Sequence, residues 1–181
     1  MGFFSDIKER FFKRRLMEAA TASSRNPAGG RAIHPSTTDD ITILFLADSA
    51  EDRKAVDKWR DANAKTGRKI KVVGYFEHEV GSTSFDFTVV SVKDLNWYGV
   101  PRGEAVDRFQ GESTELLLRV GPPFHKVLDY LAATKPAGLK VGPFTEDPRH
   151  PYQLRYDARN SPKLKDQFAA ITQIFSFTNA H

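Results

Sequence analysis

Histidine, carboxylate and nucleophile side chains could do chemistry in this sequence only if their spacing brings them together. The five histidines are scattered without an H-x-x-x-H spacing: His34, His78, His125, His150 and His181. The chain has no cysteine to act as a thiolate, and the G-x-S-x-G motif of serine hydrolases does not occur. We therefore predict no catalytic residue, no metal ion and no cofactor.

Two segments contain residues that could bind a ligand. The segment V-G-P-P-F-H-K places Gly121 and His125 at the expected start of a helix, where free backbone N–H groups can hold an anion. The segment D-L-N-W-Y-G-V-P contains Trp97 and Tyr98, which could stack on a base or a sugar. Large aromatic side chains more often serve packing, so this segment could instead plug one edge of a sheet. These four residues are the predicted lining of a ligand pocket.

The segment F-F-S-D-I-K-E-R-F-F-K-R-R-L, residues 3–16, combines an aromatic stripe with a cluster of basic side chains. On a helix, the stripe consists of Phe3, Phe4, Ile7 and Phe11. The basic residues are Lys8, Arg10, Lys13, Arg14 and Arg15. Residues 1–31 hold seven basic and three acidic side chains, an excess of four that equals the net charge of the whole chain. Attraction to phosphate should therefore act through this arm.

Apolar runs alternate with amphipathic stretches along the rest of the chain, and this alternation predicts an α/β fold. The run I-T-I-L-F-L-A-D is typical of a strand covered on both faces. The predicted strands are 41–48, 69–76, 85–91, 115–120, 138–142 and 152–157, and the predicted helices are 49–67, 103–110, 122–135 and 161–177. We expect a single open, mostly parallel Rossmann-like sheet with helices on both faces, preceded by the basic amphipathic helix.

Composition divides the chain into three parts. We predict a basic amphipathic helix over 1–19, a linker or surface-crawling loop over 20–40, and a Rossmann-like α/β domain over 41–181. The loop A-D-S-A-E-D after the first strand has three acids and no glycine, so a dinucleotide fingerprint is absent.

The hydropathy pattern bears on location. No run of about 18 apolar residues occurs, so we predict no transmembrane segment. Charged residues at Asp6, Lys8 and Glu9 interrupt the apolar stretch that a signal peptide would need. Together with the lack of cysteine, this favours a cytoplasmic location.

Two motifs carry a resemblance to a known family. The stretches D-L-N-W-Y-G, residues 94–99, and Y-L-A-A-T-K-P-A-G-L-K-V-G, residues 130–142, resemble a bacterial family known only as a domain of unknown function. The resemblance covers most of residues 1–178 and implies a short Rossmann-like protein with a basic N-terminal helix. It implies no catalytic residues. The helix followed by K-V-G is also similar to the N-terminal lobe of two-lobed glycosyltransferases.

Three functions remain open at this point. The first is a non-catalytic binding module whose basic arm contacts RNA or a ribonucleoprotein, with the α/β body as scaffold. The second is a protein-interaction or membrane-peripheral module anchored by the phenylalanine stripe. The third is a small glycosyltransferase-like enzyme with its site near Gly121, His125 and Trp97. We rank them in this order because the charge asymmetry needs a physical reason, although the arm could simply pack on its own domain.

Overall fold

The computed structural model describes residues 3–23, 33–34, 37–64, 67–148 and 150–177, with side chains outside the described set at residues 3–5, 19–23 and 177. The helices are α1 (Phe3–Ser23), α2 (Ala50–Ala64), α3 (Glu104–Gly111), α4 (Lys126–Thr134) and α5 (Leu164–Phe177), with a short 3-10 helix at Val92–Asp94. The strands are β1 (Asp40–Leu46), β2 (Lys69–Phe76), β3 (Thr88–Ser91), β4 (Thr114–Arg119), β5 (Ala137–Pro143) and β6 (Leu154–Tyr156). Most of the predicted linker, and the side chains of Phe3 and Phe4, lie outside the described residues.

The six strands form one open sheet in the order β3-β2-β1-β4-β5-β6, and every neighbouring pair is parallel. Strand β1 lies at the centre, with Ile43 paired to Val72 on one side and to Leu118 on the other. The order of the strands reverses between β1 and β4. The sequence prediction of an open, parallel α/β sheet is therefore confirmed.

Helices cover both faces of the sheet, because the side chains of β1 and β4 are apolar in both directions. Ile43 and Leu118 point to the face where α2 and α5 lie, and they join a core with Val56. Leu44 and Leu117 point to the other face and join a core with α3 and α4. The apolar stripe of the last helix is buried as its spacing predicts, at Leu164, Phe168, Ile171 and Phe175.

Strand β3 begins at Thr88 rather than at residue 85, because the preceding phenylalanines cover the sheet instead of extending the strand. The Phe87 ring lies over Gly74 of β2, where a Cβ atom would come within 2.6 Å of that ring. Phe87 also packs edge-on against Phe45, with 5.6 Å between the ring centroids. The glycine thus makes room for an aromatic cover over the edge of the sheet.

Two buried lysines close the carboxyl ends of helices. Lys135 Nζ donates to the Phe109 carbonyl in the last turn of α3 at 2.7 Å. Lys140 Nζ donates to the Ala133 carbonyl in the last turn of α4 at 3.0 Å. Such carbonyls lack partners within their own helix, and the helix dipole favours a cation there. Burial lowers the pKa of both ammonium groups to about 8, so each retains its charge at a cost.

The lowered pKa values of Lys135 and Lys140 lead to a prediction of how stability depends on pH. Their pKa in the folded chain, about 8, lies below the ordinary lysine value of 10.5. Between these values the unfolded chain holds more protons, so stability rises with pH. We expect the free energy of unfolding in urea to rise by about 1–2 kcal/mol for each lysine between about pH 7.5 and 9.5.

The Lys140→Met variant should lose part of this rise, since it removes one of the two titrating groups. Replacing the exposed Lys69 by methionine is the matched control and should leave the rise intact. A free energy of unfolding that is flat or falls over this pH range would contradict the assignment.

Candidate functional site

The carboxyl ends of β1 and β4 form the crevice in which open α/β sheets bind ligands, because the strand order reverses there. Asp48 follows β1, and its carboxylate accepts the Glu77 backbone N–H at 3.2 Å. The same carboxylate lies 2.8 Å from Nδ1 of His78. Glu77 in turn lies 3.1 Å from Nε2 of His125. The polar groups of the crevice are therefore paired with one another.

His125 is held at both ring nitrogens. It caps the start of α4, where Nδ1 accepts the Leu128 backbone N–H at 3.2 Å. Since Nδ1 accepts this hydrogen bond, we assign the ring proton to Nε2, which donates it to Glu77. This arrangement fixes the helix start and engages both ring nitrogens with groups of the chain itself. The helix begins at Lys126, after the two prolines that the sequence prediction had placed inside it.

The electrostatic character of the crevice is acidic. Asp48, Glu77 and the exposed Glu79 follow strands β1 and β2 there. Tyr75 lies beneath them, and burial, followed by the charges of Glu77 and Asp48, raises the pKa of its hydroxyl to about 12. The guanidinium of Arg53 donates to the Ala47 and Asp48 carbonyls, so it is turned toward the backbone. These charges disfavour the phosphates of a nucleotide.

Gly121 lies in the same loop as His125, but its hydrogen bonds go to α5, on the opposite face of the sheet. Its backbone N–H donates to Gln167 Oε1 at 2.8 Å, and its carbonyl accepts from Gln167 Nε2 at 3.2 Å. Its φ of 120° is a conformation that favours glycine. The hydroxyl of Tyr156 also donates to Gln167, at 2.9 Å. Gly121 therefore serves as the point where α5 fastens the loop.

A buried arginine fastens the loop from its other side. Arg119 is fully buried at the end of β4, and its Nη1 donates to the Pro122 carbonyl. Its Nη2 lies 3.1 Å from Asp129 Oδ1 on α4, which also accepts the Tyr152 hydroxyl at 2.6 Å. Arg119 and Asp129 thus form a largely buried ion pair. Removal of either side chain would leave the other as an uncompensated charge.

Helix α1 packs on the body of the protein through one aromatic ring. Phe12 is only 4% exposed, and its ring centroid lies 5.7 Å from that of Tyr130 on α4. Val100 and Leu16 also belong to this small core. The ammonium of Lys126 lies 4.1 Å from the centroid of the Phe12 ring, a cation–π contact.

The neighbouring phenylalanine faces outward and meets the D-L-N-W-Y-G segment. Phe11 is 48% exposed, with its ring centroid 6.3 Å from that of Trp97 and 6.1 Å from that of Tyr98. Trp97 is 62% exposed. Asn96 holds the turn by accepting the Tyr98 and Val100 backbone N–H groups, at 3.1 and 3.0 Å. The turn thus presents one aromatic ring to solvent and the other to α1.

Basic side chains surround Phe11 on the surface of the helix. Lys8, Arg14 and Arg15 are exposed and lie three or four positions from Phe11, so they share its side of α1. Arg14 Nε lies 3.0 Å and Arg15 Nη1 3.2 Å from the carboxylate of Glu18. We refer to Phe11, Trp97, Lys8, Arg14 and Arg15 as the aromatic–basic surface.

The predicted site residues are distributed among three environments. Phe11 was predicted to bind a partner through the arm, and Trp97 and Tyr98 were predicted to line a ligand pocket. The structure places these three rings in contact. Gly121 contacts Gln167, and His125 contacts Glu77, so neither shares its contacts with Trp97. The buried role of Phe12 was missed. Its i, i+4 spacing from Leu16 was the one signal in the sequence that could have found it.

The described residues contain no group of three or more histidine, aspartate or glutamate side chains that could hold a metal ion. None of the described helices is long and apolar enough to cross a membrane.

Fold and surface together define a class of protein: an all-parallel α/β sheet with an added basic helix carrying an aromatic–basic surface. A family model described as a family of unknown function (DUF6913) matches residues 8–167, and the chain belongs to that family. The resemblance to a family of unknown function is thereby confirmed. No curated protein and no solved structure matches the chain.

The contrast between Phe12 and its neighbour Phe11 gives a test of how α1 is attached. Phe12→Ala removes a buried ring and should weaken the docking of α1 by about 3 kcal/mol. Amide hydrogen exchange within α1 should then accelerate by roughly 100-fold. Phe11→Ala is the matched control, with an expected cost below about 1 kcal/mol because the ring is half exposed. Equal exchange rates in the two variants would show that the ring of Phe12 does not hold the helix.

Proposed function

We propose that the protein is a non-catalytic RNA-binding module and that its aromatic–basic surface makes the contact. The observation that carries the proposal is the position of Phe11. Its ring is half exposed beside the more exposed ring of Trp97, and three basic side chains surround it on the same helix.

The aromatic half of this surface suits an unpaired base. Stacking of a base on an aromatic side chain contributes about 1–3 kcal/mol and tolerates any base. Trp97 is presented on a turn whose backbone Asn96 holds, so little backbone order would have to be gained on binding. Leaving two large rings in water has no benefit for folding, which favours a role in binding.

The basic half suits phosphate. Arg14 and Arg15 share Glu18 in exposed ion pairs, and such pairs contribute little to stability. Both guanidinium groups can therefore exchange a carboxylate oxygen for a phosphate oxygen at low cost. Lys8 adds a third positive charge beside Phe11.

RNA is preferred over a membrane surface because α1 uses its apolar side for docking. Phe12 and Leu16 pack on Tyr130 and Val100, so they are not available to a bilayer. A helix that lies in a membrane interface needs a continuous apolar face, and among the described side chains the exposed rings of Phe11 and Trp97 do not supply one.

RNA binding is also preferred over the glycosyltransferase-like alternative. A sugar nucleotide would bring phosphates to the carboxyl ends of the strands. The acids Asp48 and Glu77 lie at that edge of the sheet, and their partners come from the chain itself.

The salt dependence of binding tests the basic half. The probe is a fluorescein-labelled RNA hairpin with an unpaired loop, titrated at several salt concentrations. The triple variant Lys8→Gln, Arg14→Gln, Arg15→Gln should bind more weakly. Its slope of log K against log salt should be shallower by about 2, because about 0.7 is lost for each phosphate contact.

The matched control replaces three exposed basic residues elsewhere, Lys69, Lys93 and Arg108, by glutamine. It has the same net charge as the triple variant and should keep the slope of the unmodified chain. If both triple variants change the slope equally, the binding is a general effect of net charge. If the unmodified chain does not bind the hairpin at low salt, the proposal fails.

Replacement of the exposed tryptophan tests the aromatic half. Trp97→Ala should weaken binding of the same hairpin by about 10- to 100-fold without changing the salt slope, because it removes stacking and no charge. Phe124→Ala removes another exposed ring, 71% exposed in the loop before α4, and should leave binding unchanged. Binding to phosphatidylserine vesicles that depends on Trp97, without hairpin binding, would instead support the membrane-peripheral alternative.

A further inference from the structure

A groove with a volume of about 450 Å³ runs between α2 and α5, on the sheet face opposite to the one that carries α1 and α4. Its floor is apolar. The rings of Trp59 and Phe168 are stacked there, 5.2 Å apart and 15° from parallel. Ala55, Ala62 and Ala169 line it as well, so a backbone could approach closely. The groove is separate from the aromatic–basic surface.

Both rims of the groove are positively charged. Lys54 and Lys58 line it from α2, and Lys163 and Lys165 line it from the start of α5. Within the part of the chain that the structure describes, no ion pair is found for any of these four lysines. In contrast, the cations Lys13, Arg14 and Arg15 of α1 all have carboxylate partners.

The two lysines at the start of α5 lie at positions that do not favour folding. The N-terminal end of a helix carries a partial positive charge, so cations there are destabilising. Lys163 and Lys165 flank Leu164, the first residue of α5. Among the described residues, the acids that line the groove are Glu51 and Asp52, at the first turn of α2. With four lysines and two acids among its described lining residues, the groove carries a net positive charge.

The length of the groove matches a short helix. From Glu51 to Ala62, α2 rises by roughly 16 Å at 1.5 Å per residue, about three helical turns. A helix that docks in such a groove uses apolar anchors at i, i+3, i+4 and i+7, which span about 10 Å. With a positive rim on each side, the complementary helix has carboxylates on both flanks of its apolar stripe.

We propose that the groove between α2 and α5 binds an acidic amphipathic helix of a partner protein. The apolar stripe of that helix lies on Trp59 and Phe168, and its flanking glutamates or aspartates pair with the four lysines. The proposal does not depend on RNA binding, because the two surfaces lie on opposite faces of the sheet.

Designed peptides test the charge and the shape of the occupant. The probe is a fluorescein-labelled peptide of about 14 residues with leucines at i, i+3, i+4 and i+7 and glutamates on both flanks. Fluorescence anisotropy with the full chain should show saturable binding. Affinity should be at least about tenfold higher than for the same peptide with lysines in place of the glutamates. A version with a central proline, which cannot form the helix, should also bind at least about tenfold more weakly.

Charge reversal in the groove should reverse the preference between peptides. The variant Lys58→Glu, Lys163→Glu should bind the acidic peptide at least about tenfold more weakly and should bind the basic peptide better than the unmodified chain does. The control Lys69→Glu, Lys93→Glu has the same net charge and lies outside the groove, so its preference should not change. Circular dichroism and urea unfolding confirm that both variants fold.

Four results would overturn the proposal. One is the absence of acidic-peptide binding up to about 1 mM, a limit that corresponds to about 4 kcal/mol. Another is equal binding of the proline peptide, which would mean that no helix is recognised. A third is an equal loss of acidic-peptide binding in the Lys69→Glu, Lys93→Glu control, which would mean that binding depends only on the net charge of the protein. The last is a concentration-dependent dimer that Ala62→Trp abolishes, which would make the groove an interface between two copies of the chain.

Discussion

Every connection between neighbouring strands of a parallel sheet must carry the chain back to the edge where the strands start, and this constraint organises the whole molecule. The return segments have to cover the sheet, so apolar side chains point both ways from β1 and β4. Where the return segment between β2 and β3 has no helix, Phe85 and Phe87 supply the cover. With both faces already covered, α1 can only pack outside them, on α4.

The same constraint determines which surfaces are left for binding. The carboxyl edge of the sheet is occupied by pairs that belong to the chain, such as Asp48 with His78 and Glu77 with His125. The exposed groups proposed for binding lie elsewhere: the indole of Trp97 on its turn, and four lysines along the groove between α2 and α5, for which no ion pair is found among the described residues. In this chain the sheet lies between the aromatic–basic surface and the groove, the two surfaces on which the proposals rest.

The sheet could be predicted from sequence because its signals are local. The run I-T-I-L-F-L in β1 and the stripe of α5 have periods that only one burial pattern satisfies. The docking of α1 could not, since choosing between Phe11 and Phe12 requires the surface formed by Val100 and Tyr130, residues remote in sequence. Burial of Lys135 and Lys140 was equally hidden, because lysine is normally exposed and the carbonyls it caps are not visible in a sequence.

The attachment of α1 through Phe12 also has a consequence for synthesis. About 120 residues separate Phe12 from Tyr130, so at 5–20 residues per second the ribosome makes α1 roughly 6–24 seconds before its docking site is complete. During that interval the nascent chain displays two adjacent phenylalanines among basic side chains. Helix α1 is thus translated well before the surface on which it docks, and its buried ring has no partner on Tyr130 during that interval.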